Sequence, residues 1–123
     1  MLTFQQVNKL GEIFNSTFGK ATNKGYGLKC NFEGNKMILN YTVVVYFASE
    51  RALHDQVTKS EAEANEIVND ALANAKQEYR ELTGTTVKFS EVDSKDSVEM
   101  VSVSSISPRK VAYYRKAFVF EIS

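Results

Sequence analysis

The residues able to do chemistry are few, and their spacing limits which reactions are open to the chain. His54 is the only histidine and Cys30 the only cysteine among 123 residues. His54 stands beside Asp55 with Ser49 nearby, residue types that together serve acid–base or nucleophilic catalysis. A catalytic triad is defined by geometry, and sequence neighbours at the junction of a strand with a helix seldom supply it. A capping or solvent-facing role is the simpler reading. With one His and one Cys, any metal site would have to be mostly carboxylate. Glu61, Glu63, Glu66 and Asp70 read more simply as the solvated face of a helix. A thiol-rich metal site and an internal disulfide are excluded by the count. No catalytic residue, metal ligand or cofactor is assigned, and the expectation is a protein that is not an enzyme.

Two clusters remain. The segment GKATNKG, from Gly19 to Gly25, holds two glycines and two lysines in the manner of a phosphate-binding loop. That pattern requires Gly-Lys-Ser/Thr at the end of a loop that follows a strand and opens a helix. Here a helix is expected before the loop and a strand after it. The segment is read as a partner-contacting loop, with Lys20, Asn23 and Lys24 as its contact residues. The second cluster sets Arg109, Lys110, Arg115 and Lys116 around Tyr113 and Tyr114, basic and aromatic types that can track a phosphate backbone and stack bases. Tyrosines also suit strands, and Lys and Arg on an edge strand discourage unwanted pairing. Neither the Gly-x-x-Gly loop of KH domains nor the aromatic signature of RRM domains is present. Partner contact by Arg109, Lys110, Tyr113 and Arg115 is therefore preferred, with nucleic-acid binding as the alternative.

Composition sets the frame for these residues. The chain has the length of one domain, 1–123, and can bury a core without staples. Hydrophobic residues at 43% and charged residues at 24% are ordinary for a folded protein. Fifteen basic side chains balance fifteen acidic ones, so there is no global field to draw the protein onto nucleic acid or an anionic membrane, and little long-range repulsion to oppose self-association. No stretch approaches the apolar length of a membrane span. The amino terminus lacks the basic and apolar regions of a signal peptide, so a cytosolic site of synthesis is expected.

The elements that must position these residues follow from periodicity. Phe4, Val7, Leu10, Ile13, Phe14 and Phe18 have helical spacing, with Thr3 and Gln6 as a capping box and Gly19 as the stop. Tyr26, Leu28, Cys30 and Phe32 alternate with polar neighbours. Gly34-Asn35 then offers a tight turn, and Met37, Leu39, Tyr41, Val43, Val45 and Phe47 alternate again, giving a hairpin whose second strand is interior. Ala64, Ile67, Val68, Ala71, Leu72, Ala75, Tyr79 and Leu82 mark one face of a long helix capped by Gly84. Its start is open: Ser60, Thr58 and a backward extension through Val57 and Leu53 all fit. Three strands are expected to close the chain. The first runs from Val87 to about Asp93, with a turn at Asp93 to Asp96. The second runs from Val98 to Ile106. The third, Val111 to Ile122, carries Ala112, Tyr114, Phe118, Phe120 and Ile122 on one side. The expectation is an α+β fold of order α-β-β-α-β-β-β, with a five-stranded antiparallel sheet and both helices on one face.

This order, with a long second strand from Met37 to Phe47 and a closing aromatic run AFVFEI at Ala117 to Ile122, resembles the tail-terminator and related head-tail joining proteins of tailed bacteriophages. The likeness is one of topology and pattern and carries no functional residue across. It implies a non-enzymatic virion subunit, made in the host cytoplasm, that assembles with itself into a ring and contacts other virion proteins.

Overall fold

The computed structural model describes residues 3–23, 25–101 and 110–123, and their side chains except those of residues 17–23. The elements run α1 (Phe4–Asn23), β1 (Tyr26–Glu33), β2 (Lys36–Phe47), α2 (Glu50–Thr83), β3 (Phe89–Val101) and β4 (Lys110–Ile122). The four strands form one antiparallel sheet in the order β1-β2-β4-β3. The fold is thus α+β with two helices, and two sequence expectations need correction.

The first concerns the strand count, which among the described residues is four and not five. The stretch Asp93 to Asp96, expected as a turn, lies inside β3, which pairs with β4 from Phe89↔Ile122 to Val101↔Val111. Polar residues are tolerated there because β3 is an edge strand, exposed along almost its whole length. The register shifts between Glu91 and Asp93. This is a bulge that leaves Val92 as the extra residue and keeps the ladder going where two separate strands were expected. Residues 102–106 of the expected second strand, and the Ser107-Pro108 breaker, lie outside the described residues.

The second correction is at Gly19. The α1 helix continues to Asn23, so Lys20 and Asn23 belong to a helical backbone rather than a loop. An interior glycine costs a helix only about 1 kcal/mol relative to alanine, too little to end it. Gly25, at φ 87°, supplies instead the left-handed conformation through which the chain turns into β1.

Local chemistry explains the other boundaries. The capping box at α1 is present: Thr3 N–H donates to Gln6 Oε1 at 2.8 Å and Gln6 N–H to Thr3 Oγ1 at 3.1 Å. The β1–β2 turn is closed by Glu33↔Lys36, and Gly34 takes φ 61° while Asn35 stays at negative φ, the demand of a type II′ turn. The α2 helix begins at Glu50 because Ser49, in extended conformation, accepts a hydrogen bond from Ala52 N–H at 3.2 Å. Thr58 and Ser60 are therefore interior to the helix. Gly84, at φ 73°, ends it by donating its N–H to the Arg80 carbonyl.

Packing uses one face of the sheet. Met37, Leu39, Tyr41, Val45 and Phe47 of β2 are buried together with Ala112, Tyr114, Phe118, Phe120 and Ile122 of β4. Leu10, Ile13 and Phe14 of α1 and Val68 and Tyr79 of α2 complete the core. Ala64, Ala71 and Ala75 are buried on α2, and their small side chains bring that helix close to β2. Helix α1 lies on β1, and α2 lies on β2 with a lesser contact to β4. Two residues assigned to buried faces are exposed, Phe4 at the start of α1 and Leu82 at the end of α2, where the helices run past the core.

Candidate functional site

The side chains that first suggested catalysis do not converge. His54 and Asp55 are exposed on α2. The Ser49 hydroxyl is engaged as the helix cap, and the His54 carbonyl accepts from Thr58 Oγ1 at 3.0 Å. Glu63, Glu66 and Asp70 are exposed. Among the described residues no group of three or more His, Cys, Asp or Glu side chains is placed to hold a metal ion, and no helix is long and apolar enough to cross a membrane. Burial pushes the Cys30 thiol up to about 12, which keeps it protonated and poorly nucleophilic at neutral pH.

The basic and aromatic cluster is divided by the pleat of β4. Alternate residues face opposite sides of a strand, so Tyr114 and Lys116 point into the helix layer while Tyr113 and Arg115 point away from it. Lys116 is only 8% exposed. Its Nζ donates to Glu61 Oε1 at 3.2 Å and to Asn65 Oδ1 at 3.3 Å, both on α2, and it lies 5.0 Å from the centre of the Phe118 ring. A cation neutralised in this way is not available to a phosphate. Tyr114 is fully buried, and its hydroxyl faces Asp96 Oδ2 at 3.5 Å. Burial and the Asp96 carboxylate both raise its pKa. Tyr41 packs edge-on against Tyr114, and burial with the nearby Glu63 pushes it up to about 12. The inward place of Lys116 was open to reading from the sequence, since it keeps the phase of Tyr114 and Phe118, but its charge argued against a core position.

Of the residues expected to make partner contacts, Lys110, Tyr113 and Arg115 are described. Lys110 is exposed opposite Phe47 at the start of β4. Arg115 pairs with Glu99 across the β3–β4 ladder and lies over the Tyr113 ring, 5.1 Å from its centre. The side chains of Lys20 and Asn23, and the residues Lys24 and Arg109, lie outside the described residues.

The face of the sheet turned away from the helices brings together what sequence spacing did not single out. The outward residues of β2 and β4 pair as Lys36↔Glu121, Ile38↔Val119, Asn40↔Ala117, Thr42↔Arg115, Val44↔Tyr113 and Tyr46↔Val111. Val44 is 38% exposed and Tyr46 59%. The flanking strands show polar residues on this side, Lys29, Asn31 and Glu33 on β1 and Asp93, Lys95 and Ser97 on β3. The result is a stripe two strands wide with a polar border, apolar at Ile38 and Val119 and at Val44, Tyr46, Val111 and Tyr113, and interrupted between them by Asn40, Thr42 and Arg115. On the other side of the sheet, Val98 and Met100 of β3 are 41% and 53% exposed because α2 does not reach over the edge strand.

Two open grooves lie among the described residues. A groove of about 480 Å³ lies between the start of α1 and the end of α2, among Thr3, Lys9, Glu12, Tyr79 and Thr83. Another of about 620 Å³ opens at the end of the sheet among Glu33, Lys36, Ser90 and Glu121. Neither His54 nor Cys30 lines either groove. Comparison of the chain with protein-family models, with curated proteins and with solved structures finds no match.

Proposed function

We propose that this protein is a non-enzymatic subunit of a larger assembly that acts through surfaces rather than through a pocket. The observation that carries the reading is the uncovered sheet. The helices occupy one face, and the other presents Val44, Tyr46, Tyr113 and Val111 as an apolar patch beside the Arg115–Glu99 pair, the anatomy of a contact surface with a dry centre and a polar rim. The balance of fifteen basic and fifteen acidic residues adds no long-range repulsion between copies. The resemblance to tail-terminator and head-tail joining proteins suggests the setting, a phage virion in which the protein contacts its own copies and neighbouring tail or neck proteins.

The reading is tested by light scattering of the purified protein together with detection of the chain in purified particles. Oligomers in solution, or stoichiometric incorporation into a particle, are the expected results. A protein that is monomeric at high concentration and absent from any larger particle overturns the proposal. Nucleic-acid binding predicts instead an affinity that falls steeply with salt. The division of the basic cluster, with Lys116 buried against Glu61, removes one of its four cations from such a surface.

A further inference from the structure

We infer that the uncovered sheet face is a self-interface, on which a second copy of this chain packs its own uncovered face about a two-fold axis running along the strands between β2 and β4. The inference rests on the assembly reading and names the partner at that surface. Two stacked sheets lie about 10 Å apart and within about 30° of parallel. An axis in this position lays β2 of each copy over β4 of the other. Every outward residue of β2 then meets the residue that is its cross-strand neighbour within the chain.

That constraint turns the register into a test of self-complementarity, and the register passes it. Ile38 meets Val119, Val44 meets Tyr113, and Tyr46 meets Val111, so apolar side chains face one another on both sides of a polar interval in which Asn40 meets Ala117 and Thr42 meets Arg115. At the end of the stripe Lys36 meets Glu121. Arg115 does not stand up from the surface, since it is drawn down over Tyr113 and paired with Glu99. Its charge is therefore met by Glu99 of its own chain before a second sheet arrives. Lys29 and Lys95 meet only at the wet border, where screening leaves little repulsion.

The size is sufficient. Twelve residues of strand extend about 40 Å and three inter-strand spacings about 14 Å. The covered footprint is therefore roughly 600 Å² per copy, or about 1,200 Å² in all, the lower bound of a standard specific interface.

The experiment compares the wild-type protein with Val44→Lys, in the apolar patch of the stripe, and Val98→Lys, exposed on the opposite face of the sheet. Mass is read by light scattering across concentration, and circular dichroism checks that each variant is folded. The expected result is a wild-type dimer whose dissociation constant rises at least about 10-fold in Val44→Lys and stays unchanged in Val98→Lys, since a buried unpaired charge is strongly unfavourable. Lys36→Glu is also expected to weaken association, and adding Glu121→Lys to restore it. A dimer indifferent to Val44→Lys but disrupted by Val98→Lys overturns the inference and leaves the assembly reading standing. A chain that is monomeric in solution yet present in particles does the same. One that is monomeric and absent from particles overturns both.

Discussion

Lys116 shows how a single side chain changes meaning between sequence and structure. Beside Arg115 and two tyrosines it looks like part of a phosphate-binding patch. In the fold it is a buried cation held by Glu61 and Asn65 from α2. The pair is asymmetric, since the Lys116 side chain is 9% exposed and that of Glu61 45%. Removing the acid leaves a buried charge short of a partner, whereas removing the lysine leaves a carboxylate that water can reach. Glu61→Ala should therefore lower stability by about 1 kcal/mol, while Lys116→Met, which keeps the length of the stem, should change it by less than about 1 kcal/mol in either direction. Urea unfolding of the two variants measures the difference. Equal losses would mean that the ion pair itself is net stabilising and that water does little for the Glu61 carboxylate once the lysine is gone.

The tyrosines carry the pH dependence. Tyr41 is pushed up to about 12 and Tyr114 is raised as well, each chiefly by burial, whereas an unfolded tyrosine titrates near 10. The unfolded state thus loses these protons first. Stability is at its full value below about pH 10 and falls as pH rises through the folded-state values. Ultraviolet titration should show part of the tyrosinate signal appearing only as the protein unfolds. Titration of every tyrosine near pH 10 with the fold intact would contradict the burial of Tyr41 and Tyr114.

At the scale of elements, legibility followed burial. The β1–β2 hairpin and β4 could be read because one face of each is in the core, which imposes the two-residue alternation seen at Met37 to Phe47 and Ala112 to Ile122. Strand β3 could not, because an exposed edge strand buries neither face and its sequence is free to look like a turn. Where α1 ends was equally obscure, since Gly19 is compatible with either a stop or an interior position. The end of α2 was clearer, because the Gly84 cap depends on one residue with a specific conformation, whereas its start was left open among Ser60, Thr58 and an earlier position and proves to be capped by Ser49. Ser49 and Gly84 should each matter by about 1 kcal/mol: Ser49→Ala leaves the Ala52 N–H without its acceptor, and Gly84→Ala forces a side chain into the left-handed region at φ 73°. Thermal melts should drop by several degrees in each case. An unchanged melt for Gly84→Ala would show that the end of α2 frays without cost.

At the scale of the whole molecule, the sheet is supported unevenly, and the order of support predicts the order of opening. Strand β2 lies between two partners with α2 above it, and β4 also lies between two partners under the edge of the same helix. Strand β3 is held by β4 alone, and its residues from Glu91 to Met100 are exposed. Detaching β3 exposes little apolar surface, whereas detaching β2 opens the core around Leu39, Tyr41 and Val45. Local opening free energies scale with the apolar contacts broken. Amides of β3 that bond to β4 should therefore exchange with solvent at least about 10-fold faster than those joining β2 to β4, in protein dilute enough to be monomeric. Protection of β2 and β4 should rise further at concentrations where the uncovered face is occupied, because binding to the folded state alone adds to its stability. Uniform protection across all four strands in the monomer would mean that β3 opens only with the core, and that the sheet behaves as one cooperative unit despite its bare edge.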